Sequence, residues 1–417
     1  MASGPRIDAP MVVLGGGLAG GNAAVTLREE GFAGRVVLIS REPGVPFGRP
    51  PLSKTYLRSE EELDGWYVKP HDWYQQHDVE LLAQSVLSID TTAHTLTLGD
   101  EEELEYQKLL IATGGRNRSL RVPGAELAGI HQLRTVAECE AIKAEAIAGR
   151  HAVVVGLGFI GCEVAASLRM LGVRVTAIFQ GDAPLERVLG SELAGAIAAI
   201  HRENGVELRG KSQVASFEGE ERVEAAVTAG GERVACDFVV AGIGIEPELD
   251  ALAGTSLEQS NGLLVDERCR ASVQDVYGAG DIANTLHPVF GRVRVEHYNN
   301  AEKQGRAVAR SMLGAAEPYG YIHSFWSDQY EHSIEYVGHA ERWDEFVVRG
   351  SLEQRKLLGF YLQAGTLLAA AGLDRGGDPE AESDSEMAAC ARLVAMRATP
   401  ARAELEDERV DLWSLGV

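Results

Sequence analysis

The sequence predicts an α/β protein built around two βαβ units, and two stretches carry that expectation. The first is Met11 to Gly20, MVVLGGGLAG, an apolar run that breaks into a glycine-rich turn ahead of a small-residue helix, Asn22 to Arg28. The second is Val153 to Gly161, VVVGLGFIG, the same strand, turn and helix order further along the chain. A parallel strand buried on both faces reads as a continuous apolar run. A G-x-G-x-x-G turn at its end lets a diphosphate approach backbone N–H groups at a helix N-terminus. One such turn also closes ordinary loops. Two in the same context imply two dinucleotides, one kept and one exchanged.

Composition sets the outer bounds. The chain has 417 residues, enough for two or three domains, and 45% hydrophobic against 24% charged residues is a globular balance. No apolar run reaches the roughly 20 residues of a membrane span. The opening MASGPRIDAP lacks the apolar core of a signal peptide. The expectation is a cytoplasmic protein with no membrane partner. A formal net charge of -23 argues against nucleic acid, whose phosphates such a surface repels. Cys139, Cys162, Cys236, Cys269 and Cys390 show no C-x-x-C or metal spacing and read as buried thiols.

In the first unit, Gly15, Gly17, Leu18, Ala19 and Gly20 form the turn, and Arg35 to Ser40 is the next strand. Glu42 follows that strand, where the acid of a dinucleotide fold meets a ribose hydroxyl. Gly48 to Lys54, GRPPLSK, is stiffened by two prolines that hold Lys54 in a fixed place; by composition alone it is a surface turn. Alternation from Val79 to Thr97 predicts a small antiparallel sheet. Tyr106 to Ala112 reads as a buried strand ending in Thr113-Gly114-Gly115, where backbone can approach a cofactor. A helix, Val136 to Ala148, precedes the second unit.

The second unit runs from His151 to Phe179, with its second strand at Val173 to Phe179. That strand ends Ala177-Ile178-Phe179-Gln180, with no carboxylate before Asp182 and no arginine cluster, although Arg187 follows. The turn therefore predicts a nucleotide without saying which. Glu163, two residues past Gly161, is explained structurally by the helix dipole, worth about 0.3–1 kcal/mol. Strand Asp237 to Ala241 ends in Gly242-Ile243-Gly244, and VQDVYGAGDIA then offers Asp281 as an acceptor for a polyol chain. Helix Asn300 to Leu313 carries Lys303, Arg306 and Arg310, with Arg292 and Arg294 just before it. FWSDQY, alternating strands through Leu368, an acidic loop Asp374 to Glu386, a helix Ser385 to Arg397 and a tail complete the chain.

LGGGLAG, RPPLSK, LLIATGG, GLGFIGCEVA, LERVLG, VYGAGDIA and FWSDQY occur in that order over nearly the whole chain. On these motifs the sequence resembles the FAD-dependent ferredoxin reductases of oxygenase systems, relatives of apoptosis-inducing factor. RPPLSK and FWSDQY are far more specific than the glycine turns. The resemblance implies a glutathione-reductase-like α/β fold with two Rossmann-type dinucleotide-binding domains plus a C-terminal α/β domain. An FAD domain would occupy 1–116 and 245–325, an NAD(P)H domain 117–244, and the C-terminal α/β domain 326–417. It implies that the first turn and Glu42 hold FAD, with Arg49, Thr113 and Gly114 also contacting it. Val86 would lie near adenine, Arg134 on the FAD, Asp281 on the ribityl chain and Tyr298 near the isoalloxazine. Lys54, Glu163 and Trp326 would be the catalytic set, the first two as a pair near flavin N5. Gly156, Gly158, Ile160, Gly161, Phe179, Gln180, Arg187 and Gly242 would bind the exchanged nucleotide.

Three departures stand out: Phe179 replaces the family's NADH-selecting glutamate, Gly48 replaces an acid before RPPLSK, and His323-Ser324 replaces a proline and tryptophan before FWSDQY. The implied activity is hydride transfer from NADH, with NADPH not excluded, to FAD. Single electrons then pass to a 2Fe–2S ferredoxin docking on Arg292, Arg294, Lys303, Arg306 and Arg310. Two alternatives stay open: a reductase of a small organic acceptor, monodehydroascorbate- or quinone-like, and an NADH-responsive flavoprotein like apoptosis-inducing factor. A flavin disulfide reductase is set aside, because residues 1–138 contain no cysteine.

Overall fold

The computed structural model describes residues 9–416. The chain forms two compact units, one of residues up to Arg49, Leu63–Arg116 and Glu246–His323, the other of Pro50–Glu62, Asn117–Ile245 and Ser324 onward.

In the first unit a five-stranded parallel sheet runs Val276–Gly278, Lys108–Ile111, Met11–Leu14, Val36–Ser40, Val79–Ala83. Alternate residues of the central strand serve opposite faces. Val13 packs with Leu27, Val308 and Met312 of two helices, Leu18–Glu29 and Tyr298–Met312. Val12 and Leu14 pack on the other face with Ile89, Leu96 and Leu98 of a small antiparallel sheet, Val86–Asp90, Thr95–Leu98 and Glu103–Glu105. Val79–Ala83, expected in that sheet, instead pairs in parallel with Val36–Ser40, because its buried and half-buried residues extend the parallel core. The first helix begins at Leu18 rather than Asn22. Where it crosses helix Tyr298–Met312, a Cβ at Gly305 of that helix would strike the Ala19 carbonyl, so the two helices touch backbone to backbone there.

The second unit holds another five-stranded parallel sheet, ordered Val206–Arg209, Arg174–Ile178, His151–Val155, Phe238–Ala241, Ile130–Gln132. It also holds an antiparallel five-stranded sheet ordered Ser324–Gln329, His332–Gly338, Thr366–Leu373, Lys356–Gln363, Glu345–Ser351. The alternating strands thus run on to Leu373, past Leu368. Helix Glu386–Ala395 is capped by Ser385, whose Oγ accepts from the Ala388 N–H at 3.1 Å. In LERVLG, Gly190 has φ +76° and breaks helix Glu186–Glu203; the Tyr361 hydroxyl donates to the Leu189 carbonyl at 2.9 Å. The tail is anchored rather than loose: Arg349, 3% exposed, donates to the carbonyls of Asp407 and Val410 at 2.9 and 2.7 Å. Among the described residues no helix is long and apolar enough to cross a membrane, and no His/Cys/Asp/Glu group is arranged to hold a metal.

Candidate active site

The first glycine turn is a backbone cradle. Gly15 has φ +120°, and its N–H donates to the Ile39 carbonyl at 2.8 Å. A Cβ on Gly15 would strike the Ala112 carbonyl, and one on Gly20 the Gly15 carbonyl. Gly17, by contrast, has no atom within 4 Å of where a Cβ would stand, and no side chain caps the helix it opens. The result is an open helix N-terminus with its first-turn N–H groups unshielded, the chemistry a diphosphate needs. Leu18 and Ala19 are that first turn. Glu42 sits just past strand Val36–Ser40 and pairs with Arg49 at 2.7 Å. Thr113 Oγ1 donates to the Glu248 carbonyl at 2.9 Å and the Glu248 N–H to Gly114 at 3.0 Å, which fixes the Thr-Gly-Gly turn. Asp281 lies in a short 3-10 turn, Gly280–Ile282, steadied by Arg294 on its carbonyl at 3.0 Å. Tyr298 opens helix Tyr298–Met312 and meets Trp66 edge-on at 6.0 Å. The glycine before RPPLSK has a steric reason: a Cβ at Gly48 would stand 2.5 Å from the Tyr298 ring. Val86 opens strand Val86–Asp90 of the small sheet.

The second cradle repeats this plan in the other unit. Gly156 has φ +87°, and its Cβ would lie 2.5 Å from the Gly242 carbonyl; Gly158 opens on free space, and its helix has no side-chain cap. Gly161 packs its Cα edge on the Gly156 carbonyl. Ile160 is 46% exposed, an apolar side chain left on the surface beside the turn. At the strand end, Phe179 is 7% exposed, and its N–H donates to Arg209 at 3.1 Å. Gln180 and Arg187 are exposed. Arg134 immediately precedes the Thr135 cap, and its N–H donates to Glu138 at 2.7 Å.

RPPLSK is not the surface turn that its composition suggests. Pro50–Ser53 is a 3-10 turn with Pro51, Leu52 and Ser53 buried, and Lys54 is 8% exposed. The Ser167 hydroxyl and the Cys139 thiol donate to the Ser53 and Leu52 carbonyls at 2.7 and 3.2 Å. Glu163, 3% exposed, pairs with Lys54 Nζ at 2.8 Å. Its two oxygens also take the hydroxyls of Ser53 at 2.5 Å and Ser327 at 2.7 Å. A carboxylate buried so deeply is tolerated only when paired and hydrogen-bonded, and here both conditions hold. Trp326 lies half-buried on the same strand as Ser327, opposite Glu335 of the neighbouring strand.

All five cysteines are buried free thiols. Burial pushes the thiols of Cys139, Cys269 and Cys390 up to about 12 and Cys236 to about 11, and it raises Cys162 well above the ordinary thiol range. Such thiols are inert, so the molecule has no disulfide relay.

Comparison with known proteins decides the family. The Pyridine nucleotide-disulphide oxidoreductase profile matches residues 9–305, and a Reductase C-terminal profile matches 324–416. Rhodocoxin reductase of Rhodococcus erythropolis is 38% identical over 348 residues, 82% of this chain and 81% of that protein. The chain belongs to the ferredoxin-reductase branch of that family. Among solved structures, the ferredoxin reductase for the CYP199A2 system of Rhodopseudomonas palustris matches with TM-score 0.91, 32% identity and 97% and 98% of the two chains. The covalent putidaredoxin reductase–putidaredoxin complex matches with TM-score 0.92, 32% identity and 98% of each chain.

This oxidoreductase therefore carries the pyridine nucleotide and FAD chemistry of its family, on cradles that fit both cofactors. Its basic candidates are partly engaged within the first unit. Arg292 donates to the Val265 and Asn284 carbonyls at 2.6 and 2.7 Å, and the Arg294 side chain is 8% exposed. Arg306 pairs with Glu302 at 2.5 Å and Arg310 with Glu30 at 2.7 Å, while Lys303 lies over the Tyr321 ring. Sequence reasoning missed Ser53, Ser327, Gln329 and His201. The signal for two of them was available: Ser327 and Gln329 occupy alternate positions with Phe325, so one face of a core strand carries two polar residues.

Proposed function

We propose that this chain takes a hydride from NADH onto a resident FAD in the first cradle and delivers single electrons to a 2Fe–2S ferredoxin feeding an oxygenase. The observation that carries this reading is the pair of open glycine cradles in a chain whose thiols are all buried and inert. A donor site and a resident-cofactor site with no dithiol leave an external carrier as the exit for electrons. The flavin, when bound, accepts the hydride and releases its electrons singly.

The chain's own residues do the rest. Glu42 and Arg49 bind the adenosine end, with Val86 and Arg134 as further contacts; Thr113, Gly114, Asp281 and Tyr298 line the remainder. Lys54 supplies positive charge beside the ring, which favours the reduced anion, and Glu163 holds that charge in place. Trp326 covers the flavin pocket. Gly156, Gly158, Ile160, Gly161 and Gly242 seat the nicotinamide nucleotide. Phe179 and Gln180 offer its ribose no charged acceptor and no repulsion, and Arg187 is an exposed cation close by in sequence. NADH is the proposed donor, with NADPH tolerated. Arg292, Arg294, Lys303, Arg306 and Arg310 are the proposed docking face, and the proposed location is cytoplasmic.

The test is anaerobic bleaching of the flavin band with NADH and NADPH in parallel, followed by addition of ferredoxin. Bleaching by NADH and reoxidation by ferredoxin support the reading. Reoxidation only by a quinone or monodehydroascorbate, or by neither, rejects it.

A further inference from the structure

Glu163 is the last acceptor of a buried chain of donors. Side chains alternate along strand Ser324–Gln329, so Phe325, Ser327 and Gln329 share one face, with Trp326 and Asp328 on the other. Phe159 and Glu163 stand one helical turn apart on helix Phe159–Met170 and share a face too. The two faces meet: Phe325 lies edge-on to Phe159 at 4.7 Å, and Ser327 Oγ is 2.7 Å from Glu163 Oε1. Beyond Ser327 the contacts continue without a gap. Gln329 Nε2 is 3.2 Å from Ser327 Oγ, Gln329 Oε1 is 3.0 Å from His201 Nε2, and the Tyr330 hydroxyl is 3.2 Å from His201 Nδ1. Ser327 and His201 are 0% exposed and Gln329 2%.

The direction of every bond follows from one group. A carboxylate only accepts, so the Ser327 O–H donates to Glu163 and its lone pairs receive the Gln329 amide N–H. The Gln329 carbonyl then receives His201 Nε2–H, which leaves Nδ1 bare to accept the Tyr330 O–H. Burial depresses the His201 imidazole to about 4 and pushes the Tyr330 phenol upward, so the ring is neutral and the hydroxyl keeps its proton. One proton pattern satisfies every member of the chain.

We propose that Tyr330, His201, Gln329 and Ser327 are positioning residues for the Lys54–Glu163 pair, a one-directional donor chain that locks the Glu163 carboxylate where it holds the Lys54 ammonium. Through it, the charge assigned to the flavin is set by the C-terminal sheet and by helix Glu186–Glu203. The flavin part of this inference rests on the function proposed above.

Two measurements test it on the FAD-loaded protein. Nitrogen NMR of the His201 ring at neutral pH, assigned by its loss in His201→Gln, is expected to show a neutral ring with the proton on Nε2. The flavin midpoint potential is expected to be more negative in Ser327→Ala than in the parent and to return in Ser327→Thr, which keeps the hydroxyl. A proton on Nδ1, a doubly protonated ring, or a Ser327→Ala potential equal to the parent's overturns the proposal. The tautomer is read on the parent protein, so it decides the point even if Ser327→Ala does not fold. It is also independent of the electron acceptor, so failure here is distinct from failure to reduce ferredoxin.

Discussion

Alanine at Gly17 separates folding from cofactor binding. Gly17 has φ -80° and ψ -172°, which any residue adopts, and a Cβ there meets no atom within 4 Å. The cost to the fold is therefore within about 0.5 kcal/mol. Losing glycine's freedom in the unfolded chain offsets even that, by up to about 1 kcal/mol. The methyl group instead enters the space through which a diphosphate reaches the helix N–H groups. A hydrogen bond to a charged group contributes about 1.5–3 kcal/mol, so each one lost weakens FAD binding roughly 10- to 100-fold. The assay is urea unfolding of the flavin-free protein beside a fluorescence titration with FAD. Stability is expected to match the parent while FAD affinity falls. Gly20→Ala is the contrast, because its Cβ strikes the Gly15 carbonyl and the fold itself gives way. Parent-like FAD affinity in Gly17→Ala, or a loss of several kcal/mol of stability, refutes the cradle argument. The same change at Gly158 is expected to raise the KM for nicotinamide nucleotide and leave FAD content unchanged.

Three further outcomes follow. Phe179→Glu places a carboxylate at the ribose end of strand Arg174–Ile178, and a repulsion of about 1 kcal/mol or more raises the KM for NADPH about fivefold against NADH; an unchanged ratio rejects this placement. Glu335 is pushed up to about 8, first by burial and then by Asp378 and Asp328, from an ordinary value of 4.5. The folded state therefore keeps a proton that the unfolded chain loses, and stability falls as pH rises across that window. Glu335→Gln is expected to raise Tm near pH 8 and leave it unchanged near pH 4.5, read by thermal melts; equal shifts at both reject the assignment. Ferredoxin association is expected to slow with ionic strength, and less so in a Lys303, Arg306, Arg310 triple alanine variant. A salt-independent rate rejects docking on that face.

The two cradles were legible because their chemistry is local. Backbone that must pass within contact distance of Ala112 or Gly242 leaves only glycine as a choice, and a buried parallel strand leaves only apolar residues. The family resemblance paired Lys54 with Glu163, as the 2.8 Å ion pair bears out. The burial of Lys54 was not legible in RPPLSK itself, because the Glu163 that meets it and the Ser327 that binds Glu163 are distant in sequence. His201 was hidden for the same reason: on a helix of alanines and isoleucines it reads as one more core residue until Gln329 is brought against it. The meaning of Gly48 changed most. It looked like a lost acid, and it is instead the one residue that fits under the Tyr298 ring.

The most direct test of the account is the electron stoichiometry of a single turnover. One equivalent of NADH is added anaerobically to the FAD-loaded protein with excess 2Fe–2S ferredoxin, and reduced ferredoxin is counted by its absorbance. A hydride carries two electrons and this ferredoxin accepts one, so the account predicts about two reduced ferredoxins per NADH. A flavin that bleaches with NADH but leaves the ferredoxin oxidised contradicts it.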